Sequence, residues 1–449
     1  MNLRRRDFLA IAGRALASAA LAAPARAQQA AKPDYSLRIS PVSVEVQPGK
    51  VVRTIGYNGS APGPLIRCRE GQQITIEVVN GSNVAELAHW HGLRAAPEVD
   101  GSMEEGTPMV APSASARYTF AASPAGTRWY HSHTMAGRNL DRGTYTGQFG
   151  FFYIEPAHDP GAYDQEVFLA LKEWDPYLSM MGDEDGFLEA VYKYYSINGR
   201  ALGHGDPIRV KAGQRVLLRI LNASATEPRR LALAGHTFQV TALDGNALAS
   251  PRTSPILEMG PAERIDAVVE MNNPGVWIFG ETADKDRNRG MGIVFEYAGQ
   301  SGPARWVPPS DQVWNYAAFG SPVEAGAGER LPLVFEKKFI GHRQVDRWTV
   351  NGKSWPGNDP LRVKKDGRYR LVFDNRSDEA HPVHLHRHTF EIAKIAGVPV
   401  SGVFKDVVVV GAKSQTEVLL IADNPGHTLF HCHQQLHMDN GFMALLEYV

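Results

Sequence analysis

Cysteine is almost missing from this 449-residue chain, which has two, Cys68 and Cys432. That excludes a disulfide scaffold, and if Cys432 holds a metal no intramolecular disulfide is possible at all. Methionine never forms a run: of eleven residues, only Met180 and Met181 are adjacent. Past the N-terminus no apolar stretch is long enough to span a bilayer, which excludes stable membrane insertion. Neither sign of charge dominates, with 47 basic and 48 acidic side chains, and no basic patch suggests nucleic acid. What remains is a composition of 43% hydrophobic and 21% charged residues, ordinary for a globular protein, in a chain long enough for two or three domains.

The first 27 residues read as a signal peptide. Arg4-Arg5-Arg6-Asp7-Phe8-Leu9 is followed by an apolar run to about Ala23, and Ala25-Arg26-Ala27 fits a cleavage site. The arginine core resembles a bacterial twin-arginine signal, so the twin-arginine export machinery is an expected partner and the location is periplasmic or secreted. Removing the leader leaves 42 basic and 47 acidic residues, a net charge of −5. Cys68, in Pro64-Leu65-Ile66-Arg67-Cys68, reads as a small strand residue packed like a hydrophobe.

A threefold repeat organises the rest. Residues 64–82, 207–224 and 360–377 each run from Pro through a short apolar-basic strand and a Gly turn to an alternating strand and Asn-x-Ser. The asparagines, Asn80, Asn222 and Asn375, are 142 and 153 residues apart, the length of one domain. Strands such as Ile74-Thr75-Ile76-Glu77-Val78-Val79 are short, β-branched and alternating, and turns rich in Gly, Pro and Asn separate them. The expectation is an all-β protein of three consecutive β-sandwiches, at 28–156, 157–300 and 301–449. Segment 301–330 reads as a loose connection, and 174–195 as an excursion of the second domain with a helical turn.

Ten of the sixteen histidines fall in four clusters. His89 and His91 flank Trp90, and His131 and His133 flank Ser132. His381, His384 and His386 lie in HPVHLH. His431, Cys432, His433 and His437 lie in HCHQQLHMDNGF, residues 431–442. The first two clusters follow the first repeat and the last two follow the third. In an extended strand neighbours face opposite ways, so Cys432 faces one side while His431 and His433 face the other. Metals held by Cys432 and by its neighbours would therefore be a few bonds apart. Two His and one Cys with a weak axial group make a blue-copper electron-transfer site, whereas structural zinc calls for clustered cysteines. His236 and His388, in matching Gly-His-Thr-Phe and Arg-His-Thr-Phe contexts, are expected to share a structural role. His158, His204, His342 and His427 stand outside any pattern.

All four clusters resemble the copper motifs of the multicopper oxidases, laccases included. The resemblance implies three cupredoxin-like Greek-key domains and four copper ions: one type 1, one type 2 and two type 3. It implies His381, Cys432 and His437 on the type 1 copper, and His89 and His384 on the type 2 copper. It further implies His91, His131 and His433 on one type 3 copper, and His133, His386 and His431 on the other. Phe442 stands where many members have an axial Met; it cannot coordinate, which should raise the type 1 potential. In an extended strand Met443 points the other way. Arg387 replaces a frequent Gly and should alter the approach to the type 1 site. Met438 stands where some bacterial relatives have Glu. Asp100, nine residues after His91, matches an acid near the type 2 copper, and Asp439 lies two residues after His437; both are expected in the proton supply.

The implied activity is one-electron oxidation of phenols or aromatic amines, entering at His437 and Cys432, coupled to reduction of dioxygen to water. The alternative is a periplasmic cuprous or other metal-ion oxidase in copper tolerance, against which the lack of a Met-rich segment counts. A copper-free structural protein on the same fold is the third reading, and the complete ligand set counts against it.

Overall fold

Each copy of the repeat carries the chain from one β-sheet to its partner. In this computed structural model, which describes residues 32–157, 161, 163–181 and 186–449, the three copies do the same thing. The expected export signal lies outside the described residues. The short repeat strands Ile66–Arg69, Ile208–Val210 and Leu361–Val363 pair in parallel with the closing strands Phe149–Glu155, Gly292–Tyr297 and Met443–Tyr448. The longer repeat strands Gln73–Asn80, Arg215–Asn222 and Arg368–Asn375 lie in the facing sheets. There they pair in parallel with the opening strands Tyr35–Gln47, Gln165–Met181 and Glu329–Lys338. The result is three two-sheet sandwiches, of four and four, six and five, and seven and five strands, within one unit from Tyr35 to Val449. Alternation sets the cores: along Gln73–Asn80, Ile74, Ile76 and Val78 are fully buried while their neighbours face outward.

The repeat asparagines explain the Asn-x-Ser signature. Each is buried, accepts the amide of the serine two residues on, and sends its Nδ2 to carbonyls of the following loop and of a distant strand. Asn80 serves Val84 and Val110, Asn222 serves Glu227 and Met259, and Asn375 serves Glu379, Val410 and Gly411. The loop pinned by Asn375 leads directly into His381. His236 and His388 also match. Each bonds a backbone carbonyl through Nδ1 and a tyrosine hydroxyl through Nε2, Tyr297 at 2.6 Å and Tyr448 at 2.7 Å.

Two expectations need correction. Residues 174–195 hold no helical turn among the described positions; Gln165–Met181 and Phe187–Ile197 form a long antiparallel hairpin. Trp174 opposite Tyr194 and Tyr177 opposite Val191 favour strand, because aromatic and β-branched cross-strand pairs stabilise a pleated surface. The connection after residue 300 is irregular but not loose: Tyr316 and Phe319 are buried, and the Tyr316 hydroxyl donates to Glu263 of the middle domain. A cluster containing Val44, Trp129, Trp174, Leu221, Ala262 and Val407 draws on all three domains. Among the described residues no helix is long and apolar enough to cross a membrane.

Asn222→Ala leaves the Glu227 and Met259 carbonyls without their donor, in a loop whose Ala225 carbonyl takes the Gln435 amide. We expect a loss of about 2–3 kcal/mol in denaturant unfolding; a change under about 0.5 kcal/mol would contradict this account of the repeat.

Candidate metal centres

Apart from His437, the clustered histidines lie on equivalent strands of the outer domains or one residue past their ends. Ala88–His91 pairs with Gly126–Ser132, putting His89 opposite His131. His381–Leu385 pairs with Thr428–Cys432, putting His384 opposite His431 and Val383 opposite Cys432. The corresponding middle-domain strands, Arg229–Leu233 and Val276–Glu281, carry no histidine. His437 reaches the site from a short helix, Gln435–Asp439, that the extended reading of 431–442 did not anticipate.

Cys432, His381 and His437 converge. Cys432 Sγ lies 3.8 Å from His381 Nδ1 and 3.7 Å from His437 Nδ1, and the two Nδ1 atoms are 3.3 Å apart. Bonds of about 2.0–2.3 Å from one first-row metal would separate donors by roughly these distances. The outer nitrogens point at oxygens: His381 Nε2 is bonded with Ser377 Oγ at 2.8 Å, and His437 Nε2 faces Glu379 Oε2 at 3.3 Å. This fixes Nδ1 as the inward donor on both rings. Trp348, which the sequence reading missed, covers both imidazoles, with centroids 4.6 and 4.2 Å away. Phe442 is fully buried with its ring 4.9 Å from His381, while Met443 packs in a separate cluster with Leu429 and Met438. Burial pushes the Cys432 thiol up, so the thiolate form needs a cation beside it.

On the other side of the Cys432 backbone the remaining eight histidines close on one another. His91, His131 and His433 form one group, His133, His386 and His431 a second, and His89, His91 and His384 a third; within each, donor atoms lie within 4.8 Å. His131 Nε2 and His91 Nδ1 are 3.4 Å apart, and His386 Nε2 and His431 Nε2 are 3.1 Å apart. Most outer nitrogens donate to oxygen: His89 Nδ1 to the Asp100 carbonyl, His384 Nδ1 to the Asp406 carbonyl, His131 Nδ1 to Ser132, His431 Nδ1 to Cys432. Burial first, then repulsion among neighbours, pushes His91, His131, His384, His386, His431 and His433 well below the usual imidazole range. These rings are neutral, as metal ligation requires. Among the described residues, His89 Nε2, His384 Nε2 and both nitrogens of His133 and His433 are buried without a hydrogen-bond partner. Each such atom is costly unless a ligand occupies it. Neutral imidazoles with one thiol, dry and convergent, suit copper.

The two candidate acids differ in placement. Asp100 is buried with Oδ2 2.9 Å from His386 Nδ1 and 3.0 Å from His89 Nδ1. Gly101, at φ +93°, lets this loop lie against the histidine strand, since a Cβ there would meet the Ala88 carbonyl oxygen at 2.0 Å. Asp439 lies between the outer domains, accepting amides of Ala136 and Gly137 and the Gln435 side chain. It touches none of the clustered histidines directly. Glu105, missed in the sequence, lies 3.7 Å from His386 Nδ1; burial and the neighbouring Asp100 push its carboxyl well above the usual range. Met438 lines a cavity of about 10 Å³ with His131, His133, His431 and His433. Arg387 does not alter the approach to Cys432 and His437. At φ +59°, its guanidinium turns inward to carbonyls of Ala95, Asn424, Pro425 and His427, joining the first domain to the third.

Three multicopper oxidase family models match consecutive parts of the chain, at residues 38–159, 170–294 and 332–448. The multicopper oxidase MmcO of Mycobacterium tuberculosis is 30% identical, over 96% of this chain and 91% of its own length. A laccase of Trametes maxima is 24% identical over 88% of this chain and 89% of its own. The crystal structure of a multi-copper oxidase from Pseudomonas thermotolerans superposes with a TM-score of 0.73 at 28% identity, covering 92% of this chain and 98% of that one. The chain belongs to the multicopper oxidases, copper-binding oxidoreductases that use dioxygen as acceptor.

One acid beside this site titrates in an accessible range. Burial, then repulsion from Glu379, raises the Glu189 carboxyl to about 8, against the opposing pull of Lys337. Its unfolded value is about 4.3. Between those values the folded state holds the extra proton, so this group's contribution to stability is present at low pH and lost as pH rises towards 8. Glu189→Gln should therefore lose less stability than wild type between pH 5 and 8; parallel melting curves would refute the burial of a protonated Glu189.

Proposed function

We propose that this chain is a four-copper, laccase-like oxidase of phenols and aromatic amines. His381, Cys432 and His437 would hold the type 1 copper, and His89 and His384 the type 2 copper. His91, His131 and His433 would hold one type 3 copper, and His133, His386 and His431 the other. Bound copper would supply the one-electron oxidation of the donor and the four-electron reduction of dioxygen to water. The observation that carries the reading is Cys432 itself. Its side chain belongs to one donor set, and single peptide bonds join it to His431 and His433 of the other. The chain's own covalent path thus links the place where a donor is oxidised to the place where oxygen is reduced.

The protein's part is positional. Ser377 and Glu379 orient the two imidazoles beside Cys432, and Trp348 and Phe442 exclude water from them. Phe442 offers no axial donor, which supports a high potential and so the oxidation of phenols. Asp100 and Glu105 form a buried acid pair against His386, suited to supplying protons where oxygen is reduced. The arginine-led leader supports export and activity in the periplasm or outside the cell.

A second reading, oxidation of Cu(I) or another metal ion, has its own support. Glu379, Asp346 and Asp378 surround a single ammonium, Lys337, at 2.6, 3.6 and 3.8 Å. Such a ring favours a cation at the edge of His437.

Cys432→Ser should abolish the blue absorption and all turnover with organic donors while the eight-histidine set keeps its copper. Oxygen uptake at the wild-type rate would sink the assignment. The donor class is separated by oxygen uptake with phenols, aromatic amines, Cu(I) and Fe(II), comparing wild type with Asp378→Asn, which removes one charge of that ring. The phenol reading predicts little change with any organic donor and poor metal-ion turnover throughout. A fall of about tenfold or more in kcat/KM for a metal ion, about 1.4 kcal/mol, with phenols untouched, would reverse the order.

A further inference from the structure

Two aspartates hold the eight-histidine set in a crossed pattern. The Asp100 carbonyl takes the Nδ1 proton of His89 in its own domain at 2.9 Å, while its carboxylate lies 2.9 Å from Nδ1 of His386 in the third domain. The Asp406 carbonyl takes the Nδ1 proton of His384 in its own domain at 2.8 Å, while its carboxylate takes the Nε2 proton of His91 in the first domain at 3.1 Å. The rings tied in this way stack across the domain boundary. His89 lies on His386 with centroids 4.0 Å apart and 23° between planes, and His91 on His384 at 3.8 Å and 13°. The two halves match in backbone role, side-chain role and ring contact.

They differ in what stands behind the carboxylate. Asp100 is backed by the acid Glu105. Asp406 is gripped by both prongs of Arg264, from the middle domain, at 2.7 and 2.6 Å, with Arg128 at 3.3 Å. Asp244, also of the middle domain, accepts the amides of Asp406 and Val407 at 3.3 and 3.0 Å and the Lys405 ammonium at 2.9 Å. All these side chains are buried. A two-pronged guanidinium sets the plane of a carboxylate as well as balancing its charge. With that plane set, the proton on His91 is held at Nε2 and Nδ1 is left as the inward donor, the reverse of His89 and His384.

We propose that Asp406 is a positioning residue for His91, and that Arg264 thereby makes the middle domain, which holds no ligand, part of the oxygen-reducing site. The inference rests on the trinuclear reading given above. Its test compares copper-loaded wild type, Asp406→Asn and Arg264→Lys. The readouts are copper retained against a chelator, the blue band, the type 2 paramagnetic resonance and the near-ultraviolet band of the coupled copper pair. Expected are an unchanged blue band, shifted type 2 and near-ultraviolet signals, and about ten- to hundredfold weaker retention of the non-blue copper in Asp406→Asn. Arg264→Lys keeps the charge without the fork, so it should move the same signals less, and it carries the test if Asp406→Asn does not fold. A lower melting temperature with unchanged spectra and retention would mean a merely structural ion pair and overturn the proposal. Wild type without type 2 and paired-copper signals would overturn the trinuclear reading itself, and the inference with it.

Discussion

Burying ten imidazoles is the constraint on which the rest of this structure depends. Removed from water and crowded against one another, rings such as His131 and His433 stay neutral, and several keep nitrogens that no protein atom satisfies. A fold can carry that cost only if something binds in the gaps, and only if the rings are held so that the gaps are the right size. Much of the surrounding architecture serves this holding. Apart from those of His133 and His433, most outer nitrogens are tied to backbone carbonyls or to Asp100, Asp406 and Ser377, and the inner ones are left to converge.

The division of labour among the domains follows. The first and third supply equivalent strands whose faces meet, so neither contains the whole eight-histidine set. The middle sandwich repeats the same topology without the clustered histidines and works through charge. Its Arg264 and Asp244 grip the segment around Asp406, and its Glu263 takes Lys405 and the Tyr316 hydroxyl. The donor set around Cys432 lies within the third domain and has the hairpin of the middle domain nearby, with Phe187 under the Lys337 ammonium at 4.3 Å.

What the sequence made legible was local or repeated. The four clusters and the alternation of Cys432 with its flanking histidines could be read because strand geometry decides them within a few residues. The three asparagines could be read because they recur, and their identical hydrogen bonding gives that recurrence a cause. What stayed hidden depends on contacts between distant parts of the chain. Asp406 sits in a run of valines and looks like an ordinary strand-edge acid; its partner His91 is 315 residues away. Glu105 and Trp348 carry no spacing signal, and Glu379 gains its role only from the fold of 434–440. Arg387 was noticed as a departure but misplaced, because its positive φ turns the side chain towards Ala95 rather than towards His381, Cys432 and His437.

The central claim is that one chain gathers two kinds of copper site joined by Cys432. It is tested most directly by metal analysis with quantitative paramagnetic resonance on oxidised wild-type protein. The account predicts four copper ions per chain, matching one Cys–His group and three further His groups. Half of that copper should be silent in the resonance because two ions are coupled, and the visible half should divide equally between a blue and a non-blue signal. One copper per chain, or all of the bound copper visible in the resonance, would contradict it.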